Sequence, residues 1–166
     1  MSTPEITAAL ATFTESLSKA TTEADAYDAL SALTAATVGV KLFTIMTVDM
    51  EALLARRAYT NRPNAYPTSG TKPIVFDDWF QSVHKRHETF VANTLEDISK
   101  VFGDYELIGE LGCESVVNLP ILNKGELIAT INILHEEQFY TPQKVALAQE
   151  VLTLPALAAL ALARQL

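Results

Sequence analysis

Ser115-Val116-Val117-Asn118-Leu119-Pro120-Ile121-Leu122, the turn Asn123-Lys124-Gly125, and Leu127-Ile128-Ala129-Thr130-Ile131-Asn132-Ile133-Leu134-His135 form the stretch that decides the fold. Both runs are dense in Val, Ile and Leu, which pack well on a pleated surface. The turn between them carries a glycine where a positive φ is needed. The stretch therefore reads as a β-hairpin with strands over 115–122 and 127–135. Side chains alternate along a strand, so Thr130, Asn132 and Leu134 share one face while Leu127, Ala129, Ile131 and Ile133 share the other. An amide on such a strand must find partners. Asn132 either bonds neighbouring backbone or orients a ligand, and Asn118 poses the same choice on the adjacent strand.

Working outward, Thr141-Pro142 caps a closing helix over 142–164. On the N-terminal side, Ser2 and Glu5 make a capping-box pair, and Ile6, Leu10, Phe13 and Leu17 recur at helical spacing, which predicts a helix over 4–20. A second helix over 23–38 begins after Thr22 and is stopped by Gly39. Residues 41–48 are rich in β-branched and aromatic types and read as a buried strand. Residues 53–60 favour helix by propensity, yet their place after a short turn predicts a hairpin partner strand. Asn61 to Lys72 is a long Pro-, Gly- and Asn-rich loop. Asp77 and Asp78 cap a short helix bearing Trp79, Phe80 and Val83, a strand follows at 89–92, and the chain is weakly patterned from there to Gly112. No internal repeat or linker divides the chain, so one domain over 1–166 is expected, with no output domain beside it.

Composition narrows the function. Of 166 residues 49% are hydrophobic, and 12 Lys and Arg stand against 20 Asp and Glu for a formal charge of -8. A phosphate backbone would be repelled on average, so no nucleic-acid partner is expected. The basic pairs Arg56-Arg57 and Lys85-Arg86 read as solvated faces. The single Cys113 excludes an internal disulfide, and the three scattered histidines lack zinc-ligand spacing, so no metal and no cofactor are expected. The N-terminus lacks a signal-peptide pattern, and the apolar run 154–163 is too short to span a bilayer. A cytoplasmic location without a membrane role is therefore expected.

Gly112-Cys113-Glu114-Ser115-Val116-Val117-Asn118-Leu119-Pro120-Ile121 resembles the glycine, serine and proline-plus-aliphatic strand of the GAF domain family. Residues 125–133 are similar to that family's next strand, and Phe139-Tyr140-Thr141-Pro142 resembles the aromatic-Thr-Pro start of its closing helix. The resemblance extends over essentially the whole chain and is closest over 112–145. Ala129 stands where a glycine is usual, and the glycine-rich approach to the middle helix is reduced to Gly70. The resemblance implies an α+β fold, GAF/PAS-like, with a twisted antiparallel sheet of about six strands. It implies N- and C-terminal helices on one face and a ligand cavity under the irregular middle on the other. It places Tyr59, Trp79, Phe90, Asn93, Phe102 and Tyr105 near that cavity, with Asn118 and Asn132 on its strands; the bland alternative is packing under a long loop.

The function expected is a small-molecule-sensing or regulatory binding domain, ligand unspecified, with no catalytic residues. The one enzymatic alternative is a redox enzyme similar to the free methionine-(R)-sulfoxide reductases, acting through Cys113. Against it, a sulfenic acid needs a resolving thiol that this chain lacks, and Glu114 beside the thiol would raise its pKa. His84 and His87, three apart among charged neighbours, read as a solvated helix end rather than a metal pair. A third alternative is a structural dimerisation module. The closing helix is apolar around most of its circumference, which predicts a homodimer through the terminal helices.

Overall fold

The structure, a computed structural model, describes all residues 1–166, which group into two compact units: 1–40 with 144–166, and 41–143.

The first unit is helical. Helix α1 spans Thr3–Ser18 and α2 spans Glu23–Thr37. Each begins with a reciprocal capping box, Ser2 with Glu5 and Thr22 with Asp25, which satisfies two amides that a helix start leaves unpaired. Helix α5, Pro142–Ala163, carries Pro155 in its interior, where the ring has no N–H to offer the carbonyl of Val151. It buries Ala148, Leu152, Ala156 and Ala159 but leaves Leu154 72% exposed. Counted over the whole helix rather than the run 154–163, α5 has a mean hydropathy of 1.8 in an 18-residue window. By length and composition alone the whole helix, unlike the run 154–163, is long and apolar enough to cross a membrane.

The second unit is a six-stranded antiparallel sheet with short elements over one face. Its strands are β1 Leu42–Asp49, β2 Leu54–Thr60, β3 Lys72–Pro73, β4 Phe90–Ala92, β5 Ser115–Asn123 and β6 Glu126–His135, in the order β3-β2-β1-β6-β5-β4. The hairpin β5–β6 turns at Lys124-Gly125, both at positive φ, the left-handed geometry of a tight turn. The strand expectation for 53–60 prevails over its helical propensity because its backbone is claimed by β1 on one side and β3 on the other.

A bulge in β2 decides which of its side chains share a face. Along β1 and β2, Ile45 stands opposite Tyr59 but Met46 opposite Arg57, so Ala58 is an extra residue on β2. Such a bulge flips the alternation. Arg57 therefore joins Thr44 and Met46 on one face of the sheet, while Tyr59 turns to the other, where its ring meets Phe43 edge-on at 5.8 Å.

Over the Thr44–Met46 face lies the segment that is weakly patterned in sequence. It holds a π-helix, Phe80–Lys85, and two short helices, α3 Leu95–Ser99 and α4 Tyr105–Glu110. Ile98 and Ile108 bring α3 and α4 down onto Leu42, Val116 and Leu134, which are cross-strand neighbours on β1, β5 and β6. Apolar packing fills this end of the face; beside it the packing opens into a cavity.

Candidate functional site

The floor of the cavity is a row of polar side chains across three strands. Thr44, Asn132 and Asn118 stand opposite one another in the registers of β1, β6 and β5. Trp79, on the turn before the π-helix, fixes their orientation. An indole N–H can only donate, and Trp79 Nε1 donates to Asn118 Oδ1 at 3.0 Å. The Asn118 amide nitrogen is thereby turned to Asn132 Oδ1, 2.7 Å away, and Asn132 Nδ2 in turn reaches Thr44 Oγ1 at 3.2 Å. Asp77 holds the start of the π-helix by accepting from the Phe80 amide at 2.8 Å, and so positions Trp79. Both asparagines line the cavity while bonding chiefly to other side chains, a pairing that neither of the two expected options, backbone bonding or ligand contact, described.

The cavity above this row has a volume of about 140 Å³. Met46, Phe102, Ile108, Val116 and Leu134 supply apolar walls, and Thr130 stands one alternation along β6 from Asn132. The Thr130 hydroxyl is buried and has no hydrogen-bond partner. At the rim, Tyr66 donates its hydroxyl to the carboxylate of Asp104, and the Arg57 guanidinium lies 3.8 Å from the centre of the Tyr66 ring. Burial pushes the Tyr66 phenol well above its ordinary range, and Asp104 adds to the rise, so this tyrosine remains a donor. Arg57 also donates to the carbonyl of Pro67 at 2.9 Å, which ties the long loop to the sheet.

Of the residues expected near a cavity, Trp79, Phe102, Asn118 and Asn132 line it. Phe90 stands behind Phe102, with ring centres 6.2 Å apart. Tyr59 lies on the opposite face because of the bulge, and Tyr105 packs against the apolar cluster of α3 and α4. Asn93 serves the backbone instead: its side chain donates to the Tyr140 carbonyl at 3.0 Å and accepts from the Tyr140 amide at 3.2 Å. Residues that sequence reasoning passed over are Arg57, read as a solvated charge, and Tyr66, Asp104 and Ile108, which lie in segments without periodic signal. His84 is a further correction. It is 3% exposed rather than solvated, because the π-helix turns it inward against Trp79 and Phe80, at 5.0 and 5.2 Å between ring centres. Burial pushes its pKa down, opposed in part by Asp77.

Cys113 is fully buried in the cluster with Leu42, Val116 and Leu134. Burial pushes the thiol up, against weaker opposing effects of Lys41 and Arg62, which keeps it protonated and slow as a nucleophile.

The family model described as "GAF domain" matches residues 7–159. The GAF domain of a phosphoenolpyruvate-protein phosphotransferase from Acinetobacter superposes with a TM-score of 0.71 at 11% identity, covering 97% of this chain and 95% of that one. That of the corresponding Coxiella burnetii protein gives 0.70 at 16% identity, covering 98% and 96%. The GAF domain of a two-component sensor histidine kinase from Bacillus halodurans gives 0.67 at 13% identity, covering 85% and 95%. Among curated protein sequences, none matches the chain.

Proposed function

The chain belongs to the GAF domain family, a family of small-molecule-sensing and regulatory domains in signalling proteins, and from that premise we propose that it binds a small molecule in the cavity above Asn118 and Asn132. The observation that carries this reading is the polar row set beneath largely apolar walls. Pockets for small ligands combine apolar walls with a few fixed polar groups, and here the polar groups are fixed through Trp79. The unpartnered Thr130 hydroxyl on the same wall is a group left for a ligand to meet. Catalysis through Cys113 is not favoured, since the thiol is buried and lies outside the cavity lining. The helical unit supports a further part of the proposal, that two copies associate through α1 and α5.

Thermal unfolding across a panel of small metabolites, together with native mass spectrometry of freshly purified protein, tests the binding. A ligand at a hundred times its Kd stabilises the fold by about 2.7 kcal/mol. We expect such a shift for at least one class of compound, and its loss in Ile108→Trp, which fills the cavity. If no compound shifts the transition and no small molecule travels with the protein, the sensing role is wrong.

A further inference from the structure

Trp79 lines cavities on two sides. A second cavity, of about 250 Å³, lies beyond it, and Met46, Arg57, Trp79 and Phe102 line both. The first holds Thr130, 1% exposed, and the second holds His84, 3% exposed. The Thr130 hydroxyl and both ring nitrogens of His84 are buried without hydrogen-bond partners. Unpaired buried polar atoms are rare in folded proteins, because each forfeits its hydration. Thr130 lines the first cavity and His84 the second, and the two cavities share four lining residues, an arrangement that points to one ligand meeting both residues at its two ends.

The walls state what that ligand is made of. The first cavity, at about 140 Å³, is close to the roughly 150 Å³ known to admit a benzene ring. Trp79 and Phe102 meet edge-on at 6.1 Å there, a geometry that offers aromatic faces and edges to a ring. The second cavity carries the two cations Arg57 and Lys72 against the single carboxylate of Asp77. The charge left over in the second cavity is therefore positive. Resting on the small-molecule reading above, we propose that the chain recognises a hydroxylated aromatic carboxylic acid. Its ring occupies the first cavity with the hydroxyl on Thr130, and its carboxylate enters the second, taking an N–H from His84 between Arg57 and Lys72. The remaining imidazole nitrogen accepts from a water carried in with the carboxylate.

Trp79 is the only tryptophan of the chain and stands between the two cavities, so its fluorescence reports occupancy directly. The probes are 4-hydroxyphenylacetate, phenylacetate (which lacks the hydroxyl) and 4-hydroxyphenylethanol (which lacks the charge), titrated by fluorescence and by calorimetry. The first is expected to bind about tenfold tighter than either analogue. Thr130→Val should erase the preference for the hydroxyl while keeping that for the carboxylate; His84→Phe should do the reverse, and His84→Gln, whose amide still donates an N–H, should keep more of the carboxylate preference than His84→Phe. Thr130→Val keeps the side-chain shape and removes an unpaired group, so it tests the proposal even if the His84 variants unfold. Equal binding of the three probes, or a carboxylate preference indifferent to His84, overturns the proposal. If none of the probes binds but other compounds shift the melting temperature and Ile108→Trp abolishes the shift, the aromatic-acid assignment fails while the sensing reading stands. No ligand of any kind sinks both.

Discussion

Asn118 takes one hydrogen bond from Trp79 and gives one to Asn132, so removing its amide strands a half-buried N–H and a half-buried carbonyl together. Each orphaned group costs about 1–3 kcal/mol. Asn118→Ala should accordingly lower the urea midpoint without changing the denaturant slope, and shift Trp79 emission to the red as the indole loses its anchor. An unchanged midpoint would mean that the row contributes nothing to the floor of the cavity. His84 makes a different prediction. Its pKa is lower folded than unfolded, so the folded state binds fewer protons. Stability is then fully present above the unfolded value of about 6.5 and declines as pH falls below it toward the folded pKa. Without ligand, the melting temperature of the parent should fall more between pH 7.5 and 5.5 than that of His84→Phe; parallel slopes would show that His84 does not set this dependence. The two residues also differ in how visible they are from sequence. Asn118 stands out because a strand interrupts its apolar run with an amide, whereas His84 sits in His-Lys-Arg-His, which looks like a charged helix end until a π-helical turn points the ring inward.

Among the elements, the regular ones arise from local pattern. The β5–β6 hairpin has strand composition and a glycine turn, and α1 and α2 carry capping boxes that write their own start points. The elements that build the cavity do not. Strand β3 is two residues long, α3 and α4 are five and six, and each is too short to show a period. The bulge at Ala58 is equally silent, yet it decides that Arg57 rather than Tyr59 faces the cavity. Tertiary partners hold such pieces: Arg57 ties down the loop at Pro67, and Asn93 clamps the backbone at Tyr140 ahead of α5. Cys113 belongs to this scale because it packs where α4 hands over to β5. Its buried, protonated thiol should react with a disulfide reagent only as fast as this region opens, and fully only in denaturant. Cys113→Val should keep both fold and ligand binding. Rapid labelling of the native protein would restore the redox reading.

At the scale of the whole molecule, the remaining question is what covers the helical unit. Ile6, Leu10 and Leu17 of α1 face Val151, Pro155 and Ala158 of α5 across an apolar groove, and Leu154 stands at its edge, 72% exposed. A projecting leucine beside an apolar groove on one face is self-complementary. In the proposed dimer a two-fold axis would place each Leu154 in the groove of the other copy, as a symmetric interface requires. The alanines of α5 let the helices approach closely. A bilayer surface is the other apolar phase that could cover this groove. The two occupants separate cleanly by experiment. Light scattering on a dilution series should report about twice the 18.1 kDa of one chain at micromolar concentration. Leu154→Glu with Ala158→Glu should yield the monomer, because two like charges would meet their symmetry mates in a desolvated interface. Ligand-induced quenching of Trp79 should survive in that variant, since the cavity residues all lie in 41–143. A parent that stays monomeric in solution but floats with phospholipid vesicles would assign the groove to a membrane, and a charged variant that remains dimeric would move the interface away from α5.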